Sequence, residues 1–536
     1  MNREVVILLF PLLAAFMIPV GTIISKNFGR VLSLLAYVAG ITYGLLLMPL
    51  IMVRARSVII GNWLPPFGIN LFFSPLTLGL VLFIFLLALC ILLFDLKNTE
   101  SKKGQYYLLF NLLVTASAGL ILTGDLFNIF VFLEIAGIAS FSMIAAGRNS
   151  AGGIGAQGAL KYLIQAQLTT LLMLGGIGLL YSATGVLNIA FLSSFEELKP
   201  SFAFLTLLLI LLPLFLESKL FPFNSWVGGA YQGAEPSLAA ALSGIAGTAS
   251  ALVLARLTLT MLGSSSAFAS ASEKIRALLL LLGAASILIG EVAAFREKNL
   301  KKVLAYSSIG QMGMVVAGIS IANTYAVRGA LFLLLSHGVA KVLLFLTAGF
   351  FINKAGTPFW KDMKGLARRM PLAGAFFIIG AMALMGIPLL SGFWAKLELI
   401  KGAVTAGGLA VVAVGAILFA TILEGIYFMR IGHSLFEEGE VPAGCEIPAG
   451  GAGLEESKVI VEGEVPDGGV PEGEDDFHRA RYNAAYLFPC LALALTLIAA
   501  GLFPDLINTW LSSAAHELLN SQTDYTGLIL KVGGGL

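Results

Sequence analysis

The chain carries a carboxylate at the end of one of its most apolar stretches, Gly124-Asp125-Leu126-Phe127-Asn128-Ile129-Phe130-Val131-Phe132-Leu133-Glu134. An ionisable side chain inside a membrane-spanning segment is costly, and such residues mark ion or substrate pathways. Lys219, Lys341 and Lys396 also lie in strongly apolar segments. These charges in a lipid-soluble chain suggest a path for protons rather than a pocket for chemistry.

The composition is that of an integral membrane protein. Hydrophobic residues make up 58% of the 536 residues, charged residues make up only 12%, and the mean hydropathy is +0.91. These values exclude a soluble globular chain. The net charge of +2 gives no electrostatic footprint for nucleic acid. The stretch from Glu4 to Ile24 lacks a small-residue cleavage site, so it predicts a retained helix rather than a signal peptide.

Cysteine and glycine patterns give no sign of a cofactor site. Cys90, Cys445 and Cys490 include no C-x-x-C pair, which disfavours disulfide frameworks, iron–sulfur clusters and zinc sites. The stretch from Gly153 to Gly158 matches G-x-G-x-x-G, but it follows a membrane span and not a strand, so we interpret it as an inner loop. We therefore expect no cofactor and no metal in this chain, and any redox cofactors in partner subunits.

Apolar runs of about 20 residues, long enough to cross ~30 Å of hydrocarbon, predict an all-α polytopic membrane protein with about 14 transmembrane helices. The runs begin near Val5, Val31, Pro75, Gln105, Leu126, Ala159, Phe204, Ser237, Ile275, Val303, Ala326, Pro371, Val404 and Asn483. The loops around Lys97, Arg296 and Lys354 are rich in Lys and Arg and are therefore predicted to lie inside. This places both termini outside.

Two of the predicted spans are interrupted. The seventh contains Pro222 and Asn224, and the twelfth contains Gly386 and Pro388. A helix broken at membrane depth is tolerated where it is buried in protein or lines a wet cavity. The breaks recur five spans apart, each beside a lysine, as expected of two inverted five-helix repeats. The predicted divisions are helices 1–3 at residues 1–104, the two repeats at 105–262 and 263–436, an acidic loop at 437–481, and the last helix and tail at 482–536.

The predicted acidic loop has a composition of its own. Residues 437–481 include thirteen acidic residues and many Gly and Pro. Such a segment cannot bury a core, so it is predicted to be disordered and cytoplasmic. It is either a solvated linker or a docking site for a soluble partner.

Glu134 and Lys219 are candidates for a buried ion pair between neighbouring helices. The carboxylate would stabilise the charged lysine, and breaking the pair would free its proton, which makes a switch. The alternative is a structural salt bridge that fixes helix packing. Glu217 is two residues from Lys219 and therefore points elsewhere on a helix, as a further proton acceptor or as part of a polar face.

His337 and Lys341 are four residues apart and so lie on one face of the eleventh span. A single His on an apolar face is more often a hydrogen-bonded core residue, but a second ionisable group one turn away favours a proton relay. Lys396 follows the second break, with Glu398 just beyond it. Both are candidates for proton transfer, and snorkelling to the membrane interface is the alternative for each.

Two further acidic residues are ambiguous from sequence. Glu291 lies about one turn inside Arg296, so we expect it to pair at the end of its helix. Glu424 precedes Arg430 by six residues, and its role is equally open.

Four stretches resemble the antiporter-like subunits shared by respiratory complex I, Mrp-type sodium/proton antiporters and energy-converting membrane hydrogenases. They are Thr123 to Glu134, Lys161 to Gly185, Lys301 to Gly313, and Gly386 to Lys396. The first is most similar to the D-type member of Mrp antiporters and to its counterpart in membrane-bound hydrogenases. The resemblance covers nearly the whole chain except the acidic loop and the tail, and it implies fourteen helices with a broken helix in each inverted repeat.

The resemblance also implies roles in proton transfer. The family's ion-pair carboxylate falls on Glu134 and its paired lysine on Lys219. The lysine of the second broken helix falls on Lys396, and the connecting His and Lys fall on His337 and Lys341. Auxiliary candidates are Lys161, Glu217, Ser243, Thr248 and Glu398.

The chain departs from the family in and just before the eighth predicted span. Many members carry a lysine where this chain has Thr248, so the central link lacks a titratable group. Either water ordered by Ser243, Thr248 and Ser250 bridges the link, or the subunit conducts poorly. Tyr231 stands where the family often has His, and Glu235-Pro236 replaces its usual proline pair.

The sequence thus predicts a subunit that moves protons across a prokaryotic inner membrane, with exchange for sodium left open. Expected partners are other antiporter-like and small membrane subunits, and possible further partners are iron–sulfur, hydrogenase or dehydrogenase subunits; the chain is not expected to be catalytic alone. One alternative is a non-conducting structural subunit of a redox complex. Another, a solute symporter, is disfavoured because the lysines lie singly on separate helices.

Overall fold

The computed structural model describes residues 3–61, 63–95, 104–147, 153–193, 195, 198–261, 268–438, 484–520 and 529. The acidic loop predicted at 437–481 lies outside the described residues except for Glu437 and Glu438. The division into two repeats stays a prediction.

The described chain is almost entirely helical. Its α-helices are α1 Val6–Ile24, α2 Phe28–Val53, α3 Pro75–Phe94, α4 Gly104–Leu122, α5 Leu126–Ala146, α6 Ile154–Thr184, α7 Ile189–Ser193, α8 Pro200–Glu217, α9 Val227–Gly233, α10 Pro236–Ala241, α11 Gly247–Ala255, α12 Ala269–Arg296, α13 Leu300–Ile321, α14 Thr324–Ala355, α15 Leu366–Arg369, α16 Pro371–Met385, α17 Ser391–Ala406, α18 Val411–Phe436, α19 Ala484–Leu502 and α20 Asp505–Leu519. In hydrocarbon a helix satisfies all its backbone groups internally, which explains this dominance.

Shorter elements complete the described fold. Two π-helical segments, Leu242–Ala246 and Arg256–Met261, continue α10 and α11 without a gap. Single 3₁₀ turns lie at Arg3–Val5, Trp360–Asp362 and Gly408–Ala410. A small antiparallel hairpin joins β1 Arg56–Ile59 to β2 Asn70–Phe73, between α2 and α3.

Twelve helical segments in the described ranges are long and apolar enough to cross a membrane, and α19 with α20, bent by 82°, make a thirteenth if they count as one span. The remaining span of the predicted fourteen is the twelfth, one of the two interrupted ones. Its halves, α16 and α17, have 15 and 16 residues. At ~1.5 Å per residue each half alone is shorter than the ~30 Å hydrocarbon layer. The prediction of an all-α polytopic membrane protein is confirmed.

The most buried helices form the centre of the molecule. The span Pro236–Thr260 is buried over its whole apolar window, and α13 and α14 are buried over 89% and 94% of theirs. By contrast, the first two spans, Arg3–Ile24 and Phe28–Val53, are buried over only 39% and 33% of their apolar windows. The peripheral helices present apolar side chains such as Phe16 and Leu46 to the outside, as a lipid-facing surface requires.

Short polar side chains begin several helices. Asp125 precedes α5 and accepts a hydrogen bond from the backbone N–H of Asn128 at 2.9 Å. Asn299 and Asn323 cap α13 and α14 in the same way. These side chains satisfy backbone donors that the first helical turn leaves unpaired. Asp125 is therefore accounted for by helix capping.

The structure confirms both predicted helix breaks. The first separates α8 from α9, and within it Lys219 has a φ of +60°. The second separates α16 from α17, and there Gly386 and Leu389 have φ values of +78° and +75°. A non-glycine residue in the left-handed region costs roughly 1–2 kcal/mol and persists only where its surroundings fix it. Both breaks are therefore built into the tertiary structure.

The glycine motif at 153–158 does not form a loop. Gly153 adopts a φ of +76° as the residue before α6, and Ile154 begins a helix of 31 residues. The expectation of an inner loop was wrong because the glycines allow close packing: a Cβ at Gly158 would lie 2.5 Å from the backbone of Gly229.

We expect Gly392→Ala to destabilise the protein. A Cβ at Gly392 would lie 1.8 Å from the carbonyl oxygen of Ala383, so the halves of the second broken helix would have to separate. Overpacking of this kind typically costs about 1–3 kcal/mol. The matched control is Gly415→Ala, because a Cβ at Gly415 meets nothing within 4 Å. The midpoint of thermal unfolding in detergent should fall for the first variant only. Equal midpoints would contradict the close approach.

Candidate functional site

The buried polar groups converge on one face of α13. Its polar groups are Lys301, the carbonyl of Leu304, Ser307, Ser308 and Gln311, and all four side chains are buried. The spacing of three to four residues places most of these groups along one side of the helix. We call this set the α13 stripe. Each member hydrogen-bonds a group on another segment of the chain.

Lys341 is fully buried in α14 and binds the middle of the α13 stripe. Its ammonium donates to the carbonyl of Leu304 at 2.8 Å and to the hydroxyl of Ser307 at 2.9 Å. These bonds offset part of the cost of burying the charge. Lys341 also interacts electrostatically with Glu291 and Glu424.

His337 lies one turn before Lys341, on the same face, as the spacing predicted. Its Nε2 lies 3.4 Å from the hydroxyl of Ser243, which in turn lies 3.1 Å from the hydroxyl of Ser308. Its Nδ1 has no hydrogen-bond partner among the described residues, although it is buried. The ring is therefore only partly satisfied, and one nitrogen is available to a further group.

Of the three hydroxyls expected to bridge the central link, only Ser243 contacts a titratable side chain. The hydroxyl of Thr248 donates to the carbonyl of Gly244 at 2.7 Å, and that of Ser250 donates to the carbonyl of Ala246 at 3.0 Å. Both protons are thus used inside their own helix. The π-helical segment Leu242–Ala246 carries Ser243 toward the α13 stripe.

The predicted ion pair between Glu134 and Lys219 is not formed. Half-buried Glu134 accepts hydrogen bonds from Gln167, at 2.8 Å, and from the hydroxyl of Thr170. The ammonium of Lys219 is buried and makes no hydrogen bond with any described residue. The left-handed backbone at Lys219 aims its side chain at α11, where a Cβ on Gly247 would lie 3.0 Å from the Nζ.

Glu217 is the carboxylate that interacts electrostatically with Lys219. It accepts a hydrogen bond from the hydroxyl of Tyr162 at 2.7 Å, and that ring stacks on Trp226 at 4.1 Å. A cavity of about 10 Å³ is lined by both Glu217 and Glu134. One water needs roughly 10–15 Å³ on such a measure, so the cavity is about the size of a single water.

Lys396 and Glu424 form the buried ion pair of this site, with Nζ and Oε2 at 2.5 Å. Lys396 also donates to Thr421 at 3.2 Å and to the carbonyl of Met385 at 3.3 Å. The second oxygen of Glu424 accepts from Gln311 of the α13 stripe. Snorkelling of Lys396 to the interface is thereby excluded.

Sequence reasoning left Glu424 open because of Arg430. The guanidinium of Arg430 instead lies over the rings of Phe295 and Trp360, at 5.4 and 5.7 Å. The signal that singled out Glu134, an acidic residue in an apolar stretch, applies equally to Glu424 in α18 and could have found it.

Glu291 is fully buried, and the expected pairing with Arg296 was wrong. One of its oxygens accepts from the hydroxyl of Tyr427 at 3.0 Å, and the other has no partner among the described residues. Gly310 makes room for the Glu291 side chain, because a Cβ at position 310 would lie 2.1 Å from Oε1 of Glu291, the oxygen without a partner. Glu291 interacts electrostatically with Lys341, Lys396 and Glu424.

Two of the auxiliary candidates lie apart from this site. Glu398 pairs with Arg328, with Nη2 and Oε2 at 2.5 Å, and both side chains are close to one-fifth exposed. Lys161 is exposed on α6. Within the described ranges, no three His, Cys, Asp or Glu side chains come together as a metal site would require.

Comparisons with known proteins find relatives over most of the chain. Residues 123–423 match the family described as "NADH:quinone oxidoreductase/Mrp antiporter, TM". The chain is similar to the N subunit of the NADH-quinone oxidoreductase of Desulforudis audaxviator (strain MP104C), with 30% identity over 94% of this chain and 97% of that protein. It is also similar to the D-type subunit of the Na(+)/H(+) antiporter of Bacillus subtilis (strain 168), with 29% identity over 82% of this chain and 89% of that protein.

A solved structure shares the fold over nearly the whole chain. It is that of the membrane-bound sulfane sulfur reductase, an archaeal respiratory membrane complex. One of its chains matches with a TM-score of 0.84 and 27% identity, covering 99% of each chain.

We expect Glu424→Gln to destabilise the protein by about 3–5 kcal/mol, because it leaves the ammonium of Lys396 buried without a counter-charge. Lys396→Met should cost a similar amount. The double variant should cost less than the sum, since neither charge is then left alone. Unfolding in detergent measures all three free energies.

The control for this cycle is Glu437→Gln. It removes one charge of the exposed pair with Lys364, whose side chains are 39% and 49% exposed, so about 0–1 kcal/mol is expected. Additive costs for the two changes at Lys396 and Glu424 would show that the pair is not coupled.

Proposed function

Because this chain belongs to the NADH:quinone oxidoreductase/Mrp antiporter transmembrane family, we propose that it translocates protons as one subunit of a larger membrane complex. The protein is a multi-pass membrane protein of the antiporter-like type. The proposed partners are other antiporter-like and small membrane subunits, with iron–sulfur or hydrogenase-type subunits in the case of a redox complex. The proposed location is a prokaryotic inner membrane with both termini outside.

The α13 stripe is the observation that carries the proposal. It links Ser243 and His337, then Lys341, then Gln311 with the Lys396–Glu424 pair, which come from several segments and meet along one buried helix. A purely structural core would bury apolar side chains at these positions, because each buried polar group costs free energy unless it is hydrogen-bonded. A line of titratable and hydroxyl groups in the most buried helices supports a function in proton transfer.

In the proposed cycle, Lys219 receives a proton in the first half of the molecule. Glu134 and Glu217 both line a cavity the size of one water and serve as the carboxylates near Lys219. From Lys219 the proton passes to His337, with which Lys219 interacts electrostatically, and then to Lys341. Water between these groups completes the steps that no direct hydrogen bond makes.

In the second half, Glu291 connects Lys341 to Lys396. Release of the proton requires the ion pair of Lys396 with Glu424 to loosen, because a buried ammonium without its carboxylate is unfavourable. Making and breaking this pair is therefore the proposed switch. The likeness to a component of a Na(+)/H(+) antiporter and to one of a quinone oxidoreductase leaves two drivers, a sodium gradient or redox chemistry in other subunits.

We expect Lys219→Met and Lys396→Met each to lower proton translocation at least about tenfold, since each removes a carrier that the neighbouring groups cannot replace. The measurement is proton uptake by proteoliposomes that contain the intact complex, with and without sodium. Lys161→Met is the matched control, because it removes an exposed lysine from the same molecule. Assembled variants that translocate at the control rate would overturn the proposal.

A second candidate function is a non-conducting structural subunit. One observation that favours it is Thr248, which is not titratable and whose hydroxyl donates to the carbonyl of Gly244. The other is that Lys219 makes no hydrogen bond to any described residue. If the missing lysine only slows a working route, Thr248→Lys should raise the rate of proton uptake. A non-conducting scaffold should not respond, and Ser250→Lys, two residues on, controls for the added charge.

A further inference from the structure

A cleft opens at the ends of α4, α5 and α10 and is not part of the site described above. Its volume is about 510 Å³, and its polar wall includes Gln105, Tyr106, Ser142 and Glu235. At roughly 10–15 Å³ per water on this measure, the cleft has room for some tens of waters. It lies on the side of the membrane that the positive-inside rule predicts to be inner.

Glu235 is the acidic residue in the wall of this cleft. It occupies the position just before α10, yet its side chain makes no capping hydrogen bond to that helix. Helix capping therefore does not account for a glutamate here.

Lys301, the first residue of the α13 stripe, lies behind Glu235. Its buried ammonium donates to the carbonyls of Gln232 and Ala234, at 2.6 and 2.9 Å. These two residues lie three positions and one position before Glu235 in the chain. It also interacts electrostatically with Glu235. The carbonyl of Leu304, one turn further along α13, already binds Lys341. Glu235 thus lies between the cleft and the buried groups.

A second polar contact joins the cleft to α10. The hydroxyl of Tyr106 lies 3.2 Å from that of Ser237 and 3.4 Å from an oxygen of Asp95. An apolar wall would suffice if the cleft were only a packing defect. Instead, Tyr106 in the cleft wall is hydrogen-bonded to Ser237 of α10.

We propose that this cleft is a water-filled vestibule for proton uptake, and that Glu235 accepts the proton and passes it to Lys301. The proposal rests on the proton-translocating function proposed above. A hydronium ion in the cleft gives a proton to the Glu235 carboxylate. Lys301 passes its own ammonium proton toward Lys341, and the neutral Lys301 amine then accepts the proton from Glu235. One proton enters and one leaves at each step, so no oxidant or reductant is involved. Lys301 thereby gives the α13 stripe its own connection to the inner side.

The first test is Glu235→Gln, which keeps the side-chain size and removes the acid. Proton uptake by proteoliposomes with the intact complex should fall at least threefold, and Glu235→Asp should restore part of it. The matched control is Glu437→Gln, which removes a partly exposed carboxylate paired with Lys364 on the same side. A wild-type rate for Glu235→Gln would overturn the role of Glu235.

The second test probes the cleft itself and holds even if Glu235 variants fail to assemble. In a Cys445→Ser background, where Cys90 and Cys490 are buried, Ser142→Cys places a thiol on the cleft wall. A charged, membrane-impermeant methanethiosulfonate added from the inner side should slow proton uptake in this variant and not in the background. No labelling, or labelling without effect on uptake, would overturn the vestibule.

These outcomes separate the vestibule from the proposed function. If Lys219→Met and Lys396→Met lower translocation while the Glu235 and Ser142 variants do not, the route stands and the vestibule is wrong. If none of the four changes lowers translocation, the proton-translocating function itself is wrong.

Discussion

The cost of holding charge inside a membrane is the constraint on which this structure depends. Lys341 and Lys396 are buried, and each is held by groups that offset that cost: a carbonyl and a hydroxyl for the first, a carboxylate for the second. Most of these partners lie on or contact α13. A single buried helix therefore organises charges that come from several others, and this is why it is among the most buried spans.

The two helix breaks hold their lysines differently. Lys219 lies in the first break, has a left-handed backbone and makes no hydrogen bond with a described residue. Lys396 follows the second break and is in a tight ion pair with Glu424. At the first break the nearby carboxylates, Glu134 and Glu217, are hydrogen-bonded to other side chains and not to the lysine. At the second break the lysine is paired directly with a carboxylate. The similarity of the two breaks in sequence does not extend to the pairing of their charges.

Apart from the loop expected at the glycine motif, predictions that depended on local pattern agree with the structure, and those that depended on pairing do not. The breaks beside Pro222 and Pro388 and the shared face of His337 and Lys341 follow from backbone chemistry and helical spacing. Glu291 was expected to pair with a nearby arginine, but it binds Tyr427, which is distant in sequence. Packing decides which helices lie side by side, so residue spacing along the sequence does not predict side-chain contacts between distant helices.

The sequence by itself determined that this is a polytopic helical membrane protein with ionisable groups at membrane depth. Hydrophobic length and isolated charges are properties of single segments, and they act on each helix independently of its neighbours. Only the tertiary structure decided that Glu424, and not Glu134, holds a lysine, and that Ser243 rather than Thr248 reaches the histidine. Those choices depend on which helices lie side by side, because a buried charge is stabilised only by groups within a few ångströms of it.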